Sequence, residues 1–390
     1  MFLPCRSKQN DLNSYEMETI MKKPIKTILA AALMLWLDLP AQSQTIPFDS
    51  NRWEFDAKES RVEEYLGRQS LFLKGGLALV KDSRFLNGVI EFDIAFSPER
   101  TFVGTVWRVL DKKNYEEFYF RPHQSGNPDA NQYTPVFNGD AGWQLYYGED
   151  FAAPVRYRFN EWMRVKIVVA GKQAEVYIMD METPALFMPE LKFEPASGQV
   201  GLSAGNFAPA HYSNFSFTSS DAPTLKGKAK PPKPAPKGLV VAWSVSSGFS
   251  EKNLQGKFQL SESDKAGLTW KKLECEATGI ANLARLVAIG EQSNTTFARL
   301  IINSEREQIK EIKFGFSDRV RVYLNDRLLY GGTDQFLSRD YRFLGTVGLW
   351  DALYLPLRQG RNELWMAVSE NFGGWGVVAA IEDMNGIQIQ

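Results

Sequence analysis

The sequence predicts an all-β protein, built as two antiparallel β-sandwiches joined by a Pro/Lys-rich linker. Three observations carry this. Alternating apolar and polar segments recur through both halves, no segment shows a helical period, and residues 219–238 interleave Pro231, Pro232, Pro234 and Pro236 with lysines. Many short strands at regular spacing are the pattern of a sandwich. A proline run of this kind favours extended chain and packs no core, so it reads as a linker. The layout is then 1–43 leader, 44–218 first sandwich, 219–238 linker and 239–390 second sandwich.

Within the leader, Lys22, Lys23 and Lys26 form a positive stretch, residues 27–37 are apolar, and Ala41-Gln42-Ser43 offers a small-x-small cleavage site. This predicts a cleaved secretory signal and a periplasmic or secreted bacterial protein. Translation is expected from Met21, with residues 1–20 an over-called extension. The apolar run is too short for a membrane span, which needs about 20 residues. Cleavage would leave Cys275 as the one cysteine, which excludes an internal disulfide. It reads as a buried strand residue. Lys+Arg 45 against Asp+Glu 46 gives a net charge of -1, without the basic field that nucleic acid requires.

In the first sandwich, residues 89–96 put Ile90, Phe92, Ile94 and Phe96 on one face and Glu91 and Asp93 on the other. Residues 106–121 form a hairpin. With Lys112-Lys113 as its turn and Asp111 opposite Asn114, Trp107, Val109, Phe118 and Phe120 share a core face. Val106, Arg108, Glu117, Tyr119 and Arg121 share the other, with Arg108 opposite Glu117. Residues 122–143 read as a long loop, and 162–169 with 174–179 as a hairpin whose core residues are Met163, Val165, Ile167, Val176 and Ile178. Residues 198–202 and 214–217 close the sheet.

The second sandwich is read from strands at 309–316 and 319–324, with Asn325-Asp326 turning into 328–332. Residues 353–357 and 363–368 read as another hairpin, and 376–381 as a last apolar strand. Gly373-Gly374-Trp375-Gly376 is a tight turn, and Trp350 with Trp375 is a candidate aromatic patch.

The second face of the 106–121 hairpin mixes rings with charged hydrogen-bonding groups, a composition that suits a sugar. Arg108 and Glu117 form either a simple cross-strand ion pair, worth at most about 1 kcal/mol if exposed, or a pair that orients hydroxyl-binding groups. Tyr119, Arg121 and His123 lie beside it. The 122–143 loop carries Gln132, Tyr133, Asn138, Asp140 and Trp143, either as binding groups over the sheet or as cover for its edge. Trp143 reads equally as core filler or sugar platform. His123 and His211 belong to no spaced ligand cluster, so no transition metal or other cofactor is expected. Nucleophile elbows, phosphate loops and dinucleotide fingerprints are absent.

Several motifs also carry a family likeness. Gly88-Val89-Ile90-Glu91-Phe92-Asp93, Asn114-Tyr115-Glu116-Glu117-Phe118-Tyr119-Phe120-Arg121, Asn160-Glu161-Trp162-Met163-Arg164-Val165-Lys166 and Gly198-Gln199-Val200-Gly201-Leu202 resemble the concanavalin A-like lectin and glucanase superfamily, over about residues 50–218. That superfamily includes laminin G-like and 3-keto-disaccharide hydrolase-like modules. Val322-Tyr323-Leu324-Asn325-Asp326, Leu355-Pro356-Leu357 and Gly360-Arg361-Asn362-Glu363-Leu364 resemble the galactose-binding-like jelly rolls attached to glycoside hydrolases, over about residues 239–385.

These resemblances imply jelly-roll sandwiches and leave room for a structural calcium near Asp129 or Asp140. Glu91-Phe92-Asp93 is similar to the strand motif of family 16 glycoside hydrolases, but Phe96 or Ser97 stands where the second glutamate belongs. Retaining hydrolysis needs two carboxyls about 5 to 5.5 Å apart. The expectation is therefore a non-catalytic carbohydrate-recognition protein, with carbohydrate and a neighbouring polysaccharide-processing enzyme as its expected partners. The alternatives are a glycoside hydrolase and a structural or adhesive protein-binding module.

Overall fold

The computed structural model describes residues 44–231, 234–340, 342 and 344–390. The leader and its cleavage site lie outside them. The first half builds β1 (Trp53–Tyr65), β2 (Arg68–Val80), β3 (Gly88–Phe96), β4 (Val103–Asp111), β5 (Asn114–Phe120) and β6 (Asn131–Phe137). It continues with β7 (Asp140–Ala141), β8 (Met163–Ala170), β9 (Gln173–Ile178), β10 (Leu186–Met188), β11 (Gln199–Ala204) and β12 (Ala210–Ser219). All pair antiparallel in the order β10-β9-β8-β3-β12-β2-β11-β4-β5-β6-β7, with β1 on β2.

The sheet becomes a sandwich at β2. Its residues 71–73 pair with β12, and residues 76–79 pair with β11, so one strand serves both layers. The change falls at Gly75-Gly76, where Gly76 has φ +148 and a Cβ would sit 2.0 Å from the Asp56 carbonyl oxygen. Only glycine fits that corner. Between the layers lie Leu71, Leu73, Ile90, Phe92, Ile94, Trp107, Phe118, Phe120, Val165, Ile167 and Val176, all buried.

Two expectations for this half change. Residues 122–143 are not one long loop, because β6 pairs with β5 along its length and β7 folds back on β6. Pro135 disguises the strand in the sequence; it is tolerated near the sheet edge, where one ladder donor can be spared. The hairpin register also slips: Val106 and Trp107 oppose Glu117 and Glu116, and pairing resumes only at Asp111 and Asn114. The extra residues form a bulge with Arg108 at φ +50.

The second half builds β13 (Ala242–Ser246), β14 (Trp270–Glu274), β15 (Ala281–Asn282), β16 (Thr295–Ser304), β17 (Gln308–Phe316) and β18 (Arg319–Leu324). There follow β19 (Arg327–Thr333), β20 (Asp351–Leu357), β21 (Gly360–Ser369), β22 (Gly376–Ala380) and β23 (Ile387–Ile389). A seven-stranded sheet, β14-β13-β16-β21-β18-β19 with β23 on β16, faces a four-stranded one, β15-β22-β17-β20. Leu300, Ile302, Phe314, Phe316, Val322, Leu364 and Met366 fill the core.

Here too the sequence reading needs correction. β20 and β21 are not a hairpin, because β20 pairs with β17 while β21 lies between β16 and β18. The turn between them is satisfied by a side chain instead of a ladder: the Asn362 amide donates to the Arg358 carbonyl at 2.8 Å, and its oxygen accepts from Arg358 N at 3.1 Å. Trp350 and Trp375 form no patch. Trp375 is fully buried and donates to the Val368 carbonyl at 3.0 Å, whereas Trp350 is 54% exposed.

The proline-rich stretch is anchored rather than free at its start. Buried Glu175 on β9 accepts from Lys226 N at 3.0 Å and Gly227 N at 2.8 Å, which straps residues 226–227 to the first sandwich. Cys275 is half-buried, and burial pushes its thiol up to about 12. Among the described residues no helix is long and apolar enough to cross a membrane.

Candidate functional site

Strand register assembles one chemically distinct face. Across β11, β4, β5 and β6, Gly201, Val106, Glu117 and Thr134 lie opposite one another in one row. Ser203, Gly104, Tyr119 and Gln132 form the next. The rows are two residues apart along each strand, so they project from the same face, away from the core. Gly104 leaves its place in the floor bare, since a Cβ there would meet the Phe118 carbonyl oxygen at 2.0 Å.

A buried amide ties the face together. Gln132 Oε1 accepts from Tyr119 Oη at 3.0 Å and also from Arg121 Nη2, while its Nε2 donates to the carbonyls of Trp143, at 2.9 Å, and Tyr146. Arg121 Nη2 donates to Tyr119 Oη at 3.1 Å, and its Nη1 to Asp129 Oδ2 at 3.0 Å. The guanidinium lies 5.7 Å from the Trp143 ring and 5.9 Å from that of Phe102. Phe102 in turn meets His123 edge-on at 5.5 Å. The result is a polar floor with an aromatic rim.

Several groups on this face lack partners. Thr134 Oγ1, Ser203 Oγ, Arg121 Nε and His123 Nδ1 are buried atoms with no hydrogen bond. Such atoms are rare in folded proteins, because each forfeits solvation without return. Ser203 nears Glu117, and Thr134 nears Tyr119, closely enough to hold the pKa of each down somewhat, yet without the geometry of a full hydrogen bond.

Burial dominates the electrostatics. It pushes the half-buried Glu117 carboxyl up to about 7, against the smaller pull of Ser203. Burial lowers His123, and the nearby Arg100 and Arg121 charges lower it further. It also raises the Tyr115 and Tyr119 phenols. Among the described residues no second carboxylate contributes to the Glu117 shift.

The structure gathers Glu117, Tyr119 and Arg121 with His123 and Trp143 at the rim, and separates the other candidates. Glu91 and Asp93 lie on the outside of the opposite layer. There Arg164 meets Glu91 at 3.1 Å and Asp93 at 3.4 Å, and Arg68 meets Asp93 at 2.6 Å. Arg108 does not face Glu117, since the bulge turns it away. Its buried guanidinium donates to the carbonyls of Leu86 at 2.8 Å and Gly171 at 2.6 Å. The same slip moves Val109 off the expected core face to pack with Leu79 and Val106.

Tyr133 is a core residue whose hydroxyl donates to buried Glu116 at 2.5 Å. Asn138 donates to the Ala284 carbonyl at 2.7 Å, joining the two halves. Sequence reasoning missed Thr134, Ser203 and Phe102, and placed Gln132 in a loop. Reading 131–137 as a strand would have put Gln132 and Thr134 on the Glu117 face by alternation alone.

Asp129 is engaged by Arg121, and Asp140 accepts from Trp375 N at 2.9 Å, with burial pushing its carboxyl up to about 6. Among the described residues no group of three or more His, Cys, Asp or Glu side chains is placed to hold a metal ion.

No family model matches the chain, and no curated protein matches it. Solved structures do show similarity. The carbohydrate-binding module CBM66 from Bacillus subtilis matches at 16% identity over 43% of this chain and 96% of its own, with a TM-score of 0.34. A putative glycosyl hydrolase from Parabacteroides distasonis matches at 13% identity over 46% of this chain and 100% of its own, at 0.34. A xylan beta-1,4-xylosidase from Bacillus halodurans matches at 14% identity over 45% of this chain and 38% of its own, at 0.32. Scores of this size assign neither a site nor an activity.

Proposed function

We propose that this protein recognises a saccharide, without chemical change to it, on the face formed by β11, β4, β5 and β6. The observation that carries the reading is the half-buried set of Glu117, His123, Phe102 and Trp143, lying on and beside one face above the hydrogen-bonded Arg121, Tyr119 and Gln132. Sugar hydroxyls each donate and accept, and the apolar faces of sugar rings stack on aromatic side chains. Such a ligand would meet the partly exposed Glu117 and His123 while covering Trp143 and Phe102. The signal-like leader is in keeping with a role outside the cytoplasm, where polysaccharides and the enzymes that process them are met.

The test is a glycan array probed with the full chain, beside Arg121→Ala and Tyr119→Ala variants shown to be folded by thermal melting. The native protein should bind a restricted set of glycans, and both variants should lose that signal. Absence of binding by native protein to every glycan overturns the reading. Release of reducing sugar from a bound glycan would overturn its non-catalytic part.

A further inference from the structure

The aromatic rim does not end with the first sandwich. Trp143 lies 6.3 Å from Phe336 and 5.8 Å from Phe372, both contributed by loops of the second sandwich. Phe336 is 42% exposed and Phe372 62%, costly positions for rings with no polar tip. Arg121, Trp143, Phe336 and Phe372 thus form a contiguous run from the polar floor across the junction between the halves.

That junction is rigidly held. Gln144 N donates to the Gly373 carbonyl at 2.8 Å, Val347 N to the Gln144 carbonyl at 3.0 Å, and Gln144 Nε2 to the Leu344 carbonyl at 2.8 Å. Trp375 N donates to Asp140 on the other side of the same loop. Trp143 is therefore fixed from both flanks, by Gln132 of the first sandwich and by the loops of the second. Rings held in place before binding cost little ordering entropy when a ligand arrives.

We infer that the second sandwich completes the saccharide site, and that its ligand class is an oligosaccharide long enough to run from the Glu117–Arg121 floor across Trp143 onto Phe336 and Phe372. This rests on the recognition reading above and adds a chain-length requirement. The division of chemistry supports it. Floor groups with fixed hydrogen-bonding atoms select one sugar, whereas phenylalanine rings stack on any apolar sugar face and so suit the repeating units that follow. Continuity with the floor through Arg121 and Trp143 favours the same glycan chain over an unrelated partner.

The experiment uses the full chain and a Phe336→Ala/Phe372→Ala double variant, on arrays printed with defined glycan series from single sugars to hexasaccharides. Both side chains are exposed, so the fold should persist, as checked by an unchanged melting temperature. Native protein should bind the longest members at least about tenfold more tightly than single sugars, and the double variant should lose that margin while keeping its short-glycan binding. Length-independent binding by native protein, or an unchanged margin in the double variant, overturns this inference and leaves the recognition reading standing. No binding at all overturns both. A native dimer that the double variant dissolves, with glycan affinity unchanged, would assign the patch to a second copy of the chain and also overturn it.

Discussion

The side-chain amide of Gln132 donates to the main-chain carbonyl of Trp143 at 2.9 Å, so β6 and the loop that carries the aromatic rim are one hydrogen-bonded unit. The same amide accepts from Tyr119 and Arg121. Gln132→Leu keeps approximate volume but strands buried donors and acceptors on both sides. It is expected to destabilise the protein by about 2–4 kcal/mol in chemical denaturation and to weaken glycan binding. An unchanged unfolding midpoint would remove Gln132 from the centre of the site.

Stability should fall as pH rises through the neutral range. Burial holds the carboxyls of Glu116 and Glu117 at about 7 and Asp140 at about 6, above their ordinary values. Between those values the native state binds more protons than the unfolded one, so the stability slope with pH is negative there. The melting temperature is expected to decline between about pH 5 and about pH 8. Glu117→Gln should flatten the decline and be more stable than native protein at the upper end, by about 1–2 kcal/mol after allowance for its partial exposure. A profile unaffected by that substitution would mean Glu117 titrates as an ordinary surface acid.

What the sequence disclosed was periodicity, and what it concealed was register. The 163–178 hairpin and the inward set Ile90, Phe92 and Ile94 follow from strict alternation around unambiguous turns, and the structure keeps them. Alternation continued through Arg108 fails because a bulge adds residues to one strand only, and no residue there announces it; a positive φ at an arginine is not a sequence signal. The site suffers the same loss. Glu117, Tyr119 and Arg121 lie beyond the bulge and keep their face, whereas Ser203 comes from a strand paired at long range, which local pattern cannot reveal, and Thr134 from a strand that Pro135 disguises. Asn362, by bonding its own turn, made a crossing between sheets look like a hairpin.

Arg108 provides a control for the site. Its guanidinium is buried and donates to Leu86, Asn87 and Gly171, joining loops at the far end of the strand from Trp143. Arg108→Met should leave those acceptors unpaired and cost about 3–5 kcal/mol, since a buried network loses its central donor. Glycan binding by the folded fraction should be unchanged. A selective loss of binding with normal stability would return Arg108 to the site.

The strap on β9 makes a separate prediction. Glu175 is fully buried and accepts from the Tyr177 hydroxyl as well as from the backbone amides of Lys226 and Gly227. These bonds hold a stretch containing Lys226, Lys228 and Lys230 against the first sandwich. A protease needs several residues of extended, detached chain, so cleavage there samples local release rather than global unfolding. Glu175→Ala removes the acceptor and should raise tryptic cleavage at these lysines about tenfold or more, the equivalent of losing about 1.4 kcal/mol of local anchoring. Because Glu175 lies on a strand of the opposite layer from Glu117, glycan binding should persist in the variant. Mass spectrometry of a timed digest reads the cut sites directly, and an unchanged rate would mean that contacts other than Glu175 hold the strap.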